Sequence, residues 1–579
     1  MKKEYCNPID LEYKFQHYGG SAHREAADPT MVLFKGTYYL FASMSAGFFY
    51  SEDMIYWKWH ENRSLDMYRY APDVRQIGDY LYFCASTKSE ASTIWRSRDP
   101  LSDDFEKVSE PFAFWDPDIF EDDDGRVYFY WGCGNTEPIW GVEMDRETML
   151  PIGEKVALID QDKSIHGWER YFYPGKPKSN SKGFMKYVMM FLNRSGRPYM
   201  EGAYMNKWNG KYYLQYAAPG TEMATYGDGY YVSDKPLGPF KFMPNTPFSL
   251  RTSGFITGAG HGSTIEDKDG NIFHAATMRI SVNQNFERRV GIFPAGLDED
   301  GYLYCNQNFA DYPVVLPEGK FDARDIKPQY FLLSYKKKAE ASSSKEGHPV
   351  ELALDENIRT WWAAEEEKAW YLLDLGDVYR PHSVQLNFAE ESVPEFTDKT
   401  LERSSIMTNK RYIDSNKELK TRFVLEGSVD KEHWFMIHDA SARDDDRSHP
   451  YLILNEEYEV RYLRVSVIEL PYHEVFALSG FRVFGVGKGE KPEKVRNILV
   501  AREGNGMDCH IRFSKAKGAI GYNIRFGIAK DKLYSSFMVY EETEILLTTL
   551  NAYQPYYIAI DSFNENGVTE AEEVYYITK

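Results

Sequence analysis

Through the first half of the chain, hydrophobic and polar positions repeat a short unit, a Gly followed by alternating aromatic and apolar residues. Its copies are Gly36-Thr37-Tyr38-Tyr39-Leu40, Gly78-Asp79-Tyr80-Leu81-Tyr82, Gly125-Arg126-Val127-Tyr128-Phe129, Gly210-Lys211-Tyr212-Tyr213-Leu214 and Gly270-Asn271-Ile272-Phe273-His274. A short apolar stretch precedes each Gly, with turn-forming Lys, Asp or Asn between, so each copy predicts a strand–turn–strand hairpin. Hairpins returning at intervals of roughly forty to eighty residues suit the four-stranded blades of a propeller around a central channel. Five copies predict five blades.

The repeat stops after Leu316-Pro317-Glu318-Gly319, and the polar stretch from Lys336 to Lys345 marks a change of unit. Short alternating strands then continue to the end, through Trp370 to Gly376, Phe423 to Ser428, Arg461 to Val465, Val495 to Val500, Cys509 to Phe513, Gly521 to Gly527 and Tyr556 to Phe563. The predicted fold class is all-β: a five-bladed β-propeller over residues 1–325, followed by two β-sandwich domains over 326–486 and 491–579.

Composition narrows the partner. A formal charge of −20 with no large Lys/Arg cluster argues against nucleic acid and anionic membrane surfaces, and favours a neutral oligo- or polysaccharide. No run of about eighteen apolar residues is present, so no helical membrane span is expected. Cys6, Cys84, Cys133, Cys305 and Cys509 are odd in number and widely scattered, and read as reduced, buried thiols. No apolar segment follows Met1-Lys2-Lys3, so the expected location is the cytoplasm, or the periplasm or exterior if a signal has been removed.

Candidate chemistry sits eight or nine residues before the repeated glycines, at the start of each first strand. Asp28 precedes Gly36, Asp116 precedes Gly125, Glu201 precedes Gly210 and His261 precedes Gly270. Equivalent positions of successive blades face one axis, so these four side chains should converge. An isolated Asp-Pro is a turn initiator, but four polar groups in register across separate repeats point to a site. In the second repeat the nearest acid, Asp73, lies only five residues before Gly78, out of register. Carboxyls crowded in one cleft cannot all ionise freely, so an acid and a base can coexist near neutrality, as glycosidic bond cleavage requires.

The ordered motifs Ala27-Asp28-Pro29-Thr30, Ala71-Pro72-Asp73-Val74, Trp115-Asp116-Pro117-Asp118, Glu201-Gly202-Ala203 and Gly260-His261-Gly262-Ser263 resemble glycoside hydrolase family 43. The resemblance spans about residues 20–315 and implies inversion, with Asp28 as general base, Glu201 as general acid and Asp116 as modulator of the acid. It implies that His261 lies beneath the sugar, where through water it would hold a structural calcium in the channel, and that the chemistry requires no cofactor. Arg288 of Arg288-Arg289 is expected against the sugar, Asp73 behind it, and Phe48, Phe49 and Trp115 as its apolar wall. His166-Gly167-Trp168-Glu169, on the long connection after the third repeat, is a further polar–aromatic cluster that either contacts substrate or packs internally.

Leu354 to Trp362, with the strands near Trp370, Phe423 and Arg461, resembles a discoidin-like sandwich similar to carbohydrate-binding module family 32, with Trp361 and Trp362 expected in its core. The Tyr556–Asp561 strand and Asn564-Glu565-Asn566-Gly567 turn resemble a fibronectin type III domain. The implied activities are α-L-arabinofuranosidase or β-xylosidase. Alternatives are a galactofuranosidase or galactosidase, another five-bladed glycosidase, and a glycan-binding protein without catalysis.

Overall fold

The computed structural model describes residues 3–18, 21–43, 45–65, 70–86, 91–170, 197–393, 403–404, 412–413, 419–454 and 458–578. Each Gly-aromatic unit forms a hairpin whose turn needs a left-handed residue. Gly36, Gly78, Gly125, Gly210 and Gly270 supply it, with φ between +57° and +86°. The described residues contain strands, turns and short 3₁₀ segments but no α-helix.

Around the hairpins the chain builds five antiparallel sheets of four strands, each in sequence order. Their first strands are Thr30–Phe34, Tyr70–Ile77, Pro117–Glu121, Glu201–Trp208 and Thr257–Glu266. Each packs on the next, and Thr257–Glu266 returns to Thr30–Phe34, closing a ring. Consecutive aromatics fill different cores because side chains alternate across a strand. Tyr39 joins Phe41, Phe48 and Phe83 between the first and second sheets, while its neighbour Tyr38 joins Met31, Phe273 and Ile292 between the fifth and first. Likewise Tyr212 packs with Tyr128 and Tyr130, and Tyr213 with Tyr230 and Phe293. The repeated aromatic pair therefore serves two inter-sheet cores.

The ends of this ring are tied together: Lys3–Tyr5 pairs with Val314–Leu316, and the Asn7 amide donates to the carbonyls of Ile292 and Ala310 at 3.0 Å. Downstream, two five-stranded sheets share one core containing Trp362, Tyr371, Phe423, Leu463 and Phe481. Trp361 differs from the core position expected of it. It is half-buried, its indole donates to Glu391 at 2.6 Å, and its ring lies 4.8 Å from His348. The last unit packs a three-stranded against a five-stranded sheet over Cys509, Ile511, Tyr522 and Ile558.

The His166–Glu169 cluster is a docking point for that last unit. His166 and Glu169 bond each other at 2.9 Å, the His166 ring stacks on Phe242 at 3.8 Å, and the Gly167 N–H donates to the Leu550 carbonyl at 3.1 Å. All four residues of the motif are buried.

Candidate active site

The ring converges on a set of left-handed residues at the start of its first strands. Asp28 (φ +49°), Ala71 (+42°), Asp116 (+52°), Gly202 (+66°) and His261 (+48°) share this conformation. For a residue with a side chain it costs on the order of 1 kcal/mol, and it persists where the surroundings hold it. Here side chains hold the peptide N–H groups. Asp28 donates to Thr277 Oγ1 at 2.8 Å, Ala71 to Ser43 Oγ at 2.7 Å, Asp116 to Ser86 Oγ at 2.6 Å and His261 to Asp228 Oδ1 at 2.7 Å. In the second sheet the matching position is Ala71, which brings a methyl group where three other sheets bring a carboxylate or an imidazole.

His261 occupies the middle. Its Nδ1 lies 3.5 Å from Asp28 Oδ1 and 3.9 Å from Asp116 Oδ2. The ring rests on Gly202, where an added Cβ would come within 2.7 Å of it, so only glycine admits this approach. Below, Asp228 accepts from the N–H groups of His261 and Gly262 and meets His274 Nε2 at 2.9 Å. Burial works to lower the His261 pKa, but the charges of Asp28, Asp116, Glu201 and Asp228 outweigh it and raise the pKa.

Asp28 is buried, with Oδ2 accepting from the Ser43 hydroxyl and Oδ1 from Arg288 Nη1 at 3.2 Å. Arg288 in turn donates from Nε to Glu25 at 2.9 Å. Its neighbour Arg289 points the opposite way, as strand alternation requires. Asp116 is buried and accepts from the Ser86 hydroxyl at 3.1 Å. Burial, reinforced by the Glu201 and Asp28 charges and opposed by His261, pushes Asp116 up to about 7. Glu201 is half-buried, accepting from the Tyr226 hydroxyl at 2.6 Å and the Cys133 thiol at 3.4 Å. Metal-binding atoms of Asp116, Cys133 and Glu201 lie within 4.8 Å of one another, which places the second and third carboxylates side by side.

The implied calcium is one that His261 would hold through water. A hard cation takes six to eight oxygens. His261 presents nitrogen, the Asp28 oxygen beside it, Oδ1, accepts from Arg288, the Asp116 oxygen beside it is Oδ2, and the adjoining three-atom group includes a thiol. Direct protein oxygens are few here, and water would supply the rest of the shell of an ion held at His261.

Three expected contacts are corrected. Asp73 lies between sheets: a register shift follows Tyr70, and its Oδ2 accepts from the Ile119 N–H at 2.8 Å, with Arg75 3.7 Å from Oδ1. Arg75 also bonds Asp118 at 2.5 Å and the Met205 carbonyl at 2.9 Å, so this group braces the second, third and fourth sheets. Phe48 and Phe49 are fully buried, Phe48 stacked 4.6 Å from Phe41 and Phe49 edge-on to Trp59, so neither can wall a sugar. Trp115 stays half-exposed beside Asp116. Phe286 is half-exposed too, 5.1 Å from the Arg288 guanidinium.

Ser43, Ser86, Cys133 and Thr277 were not singled out as site residues by the sequence. They had a signal: a small hydrogen-bonding residue seven or eight positions after the Gly of each of those four hairpins. Tyr226, Asp228 and Glu25 had none, since their roles come from contacts between distant segments.

Residues 22–303 match the model of glycosyl hydrolases family 43. Over 149 residues the chain is 26% identical to a xylosidase/arabinosidase of Bacteroides ovatus, covering 22% of this chain and 38% of that protein. It is 24% identical to the β-D-galactofuranosidase xynD of Aspergillus niger, over 44% of this chain and 74% of that one. This chain thus spans 38% and 39% of the length of the Bacteroides protein and of a β-xylosidase from Xylanibacter ruminicola. Among solved structures, the Bacteroides ovatus Xyloglucan PUL GH43B aligns over 99% of this chain and 92% of its own, with a TM-score of 0.42 and 14% identity.

Proposed function

We propose that the chain is a glycoside hydrolase, as its family 43 match over residues 22–303 supports, and that its ring is a five-bladed β-propeller that hydrolyses glycosidic bonds with inversion. The observation that carries the reading is the convergence of Asp28, Asp116 and Glu201 around His261 from separate sheets. Asp28, steered by Ser43 and Arg288, takes the proton of the attacking water. Glu201, oriented by Tyr226 and Cys133, delivers a proton to the leaving oxygen. Asp116, pushed up to about 7, lies beside Glu201 and modulates the acid. Trp115 and Phe286 are the apolar surfaces offered to the sugar.

The substrates proposed are polysaccharide or oligosaccharide side chains, with α-L-arabinofuranosyl or β-xylosyl groups as the sugars released. The relatives named for xylosidase/arabinosidase and β-xylosidase activity support this choice. A galactofuranosyl group is the second reading, favoured by the longer match to the Aspergillus enzyme. The two units that follow are read as a discoidin-like and a fibronectin type III-like sandwich. A panel of nitrophenyl furanosides and pyranosides tests the sugar, and proton NMR of the first product tests inversion. A retained anomer would remove the base role from Asp28. Glu201→Gln should cripple natural substrates while sparing aryl glycosides with good leaving groups, and Asp28→Asn should lose both.

A further inference from the structure

The strands that hold Asp28 have a second face. Along Ser21–Glu25 and Arg288–Leu297, Glu25 and Arg288 point toward Asp28, and their neighbours Arg24 and Arg289 point the other way, into the unit after the ring. There Arg24 grips Asp446 with two bonds, from Nε at 2.9 Å and Nη2 at 3.0 Å, and reaches Glu390 Oε1 at 3.2 Å. Arg289 Nη2 donates to the same Glu390 oxygen at 2.8 Å, its Nε to His449 Nε2 at 2.7 Å, and its Nη1 to the Arg24 carbonyl at 2.7 Å. Thr421 and Asn387 fix Asp446 and His449 in turn.

Every charged group in this cluster is nearly inaccessible: Arg24 is 2% exposed, Arg289 1%, Glu390 4% and Asp446 3%. Glu287 and Glu474, which also face it, are pushed by burial up to about 8, leaving two cations against two carboxylates at neutral pH. A balanced buried cluster with this many bonds has one arrangement, and removing one carboxylate strands a buried guanidinium. The Ala26 N–H donates to the Arg288 carbonyl at 3.3 Å, so the outward clamp and the inward pair share one short stretch of backbone.

We propose that Glu390 and Asp446 of the second unit are positioning residues for hydrolysis, setting through Arg24 and Arg289 the place of Arg288 and hence of Asp28. The second unit is then part of the catalytic architecture as well as an appendage to it. The inference rests on Asp28 acting as the base.

The test uses the full-length chain and the glycoside that it turns over fastest. Glu390→Gln should lower kcat at least tenfold with KM within twofold. Glu390→Asp, which keeps the charge, should restore part of kcat. Lys431→Ala, which removes an exposed pair with Glu340 in the same unit, should change neither. A crystal structure of Glu390→Gln should show Arg288 Nη1 drawn beyond hydrogen-bond reach of Asp28. Should Glu390→Gln not accumulate as folded protein, Asp446→Asn is read in the same way. Unchanged kcat with the 3.2 Å contact intact overturns the inference. If no glycoside is turned over, the glycosidase reading has failed, and the Arg288–Asp28 contact in the crystal structure alone decides whether the clamp sets it.

Discussion

Replacing Asp116 by Asn should make the protein more stable above neutral pH while removing its activity. In the unfolded chain the Asp116 carboxyl has its ordinary value of 3.8, and in the fold burial, with Glu201 and Asp28, pushes it up to about 7. Between about pH 4 and pH 7 the folded protein therefore binds a proton that the unfolded chain has released, and stability falls as pH rises through that window. Each pH unit is worth about 1.4 kcal/mol, so the full gap is about 4 kcal/mol, an upper figure because Asp116 is electrostatically coupled to its neighbours. Asn keeps the hydrogen bond from its backbone N–H to Ser86 Oγ, and its side-chain carbonyl oxygen can accept from the Ser86 hydroxyl, but it has no carboxyl proton to lose. The stability difference between Asp116→Asn and the parent should thus be about 2–4 kcal/mol more favourable at pH 8 than at pH 4. Urea unfolding of the ring at the two pH values, followed by tryptophan fluorescence, measures it. An equal difference at both would refute the claim that burial holds the proton on Asp116.

Gly202→Ala should cost about 1–3 kcal/mol and most of the activity, because the new methyl meets the His261 ring at 2.7 Å on a backbone with φ +66°; a thermal melt and a kcat measurement check it. Tyr226→Phe deletes the 2.6 Å bond to Glu201 and should lower kcat about ten- to a hundredfold on natural substrates, with a smaller loss on aryl glycosides with good leaving groups. Equal losses on both would detach Tyr226 from the acid. Arg75→Met leaves the buried Asp73 and Asp118 carboxylates without their cation and should destabilise the ring by about 3–5 kcal/mol, read as a lowered unfolding midpoint.

Local chemistry explains how much of this was legible in the sequence. A positive-φ glycine after a turn residue, followed by alternating aromatics, is a complete specification of a hairpin, so the five repeats could be read directly from 36 to 274. Register within those repeats singled out Asp28, Asp116, Glu201 and His261, and strand alternation separated Arg288 from Arg289, because both depend on spacing along a single segment. Phe48 and Phe49 misled for the opposite reason. An aromatic near a strand start looks the same whether it lines a cleft or fills the gap between sheets, and here neighbouring sheets cover both rings.

The sequence by itself determined the hairpins, the all-β character and the positions from which polar groups face one axis, since each follows from backbone preferences and a two-residue period. Tertiary structure alone decided what those groups meet. The irregular register at Tyr70 sends Asp73 into a brace between sheets and leaves Ala71 at the axis. Tyr226 and Cys133 reach Glu201, Glu25 reaches Arg288, and the second unit's Glu390 reaches Arg289 across 101 residues of chain. Such partnerships depend on how distant segments are carried together, and low-dielectric burial there pushes the Asp116 carboxyl up to about 7.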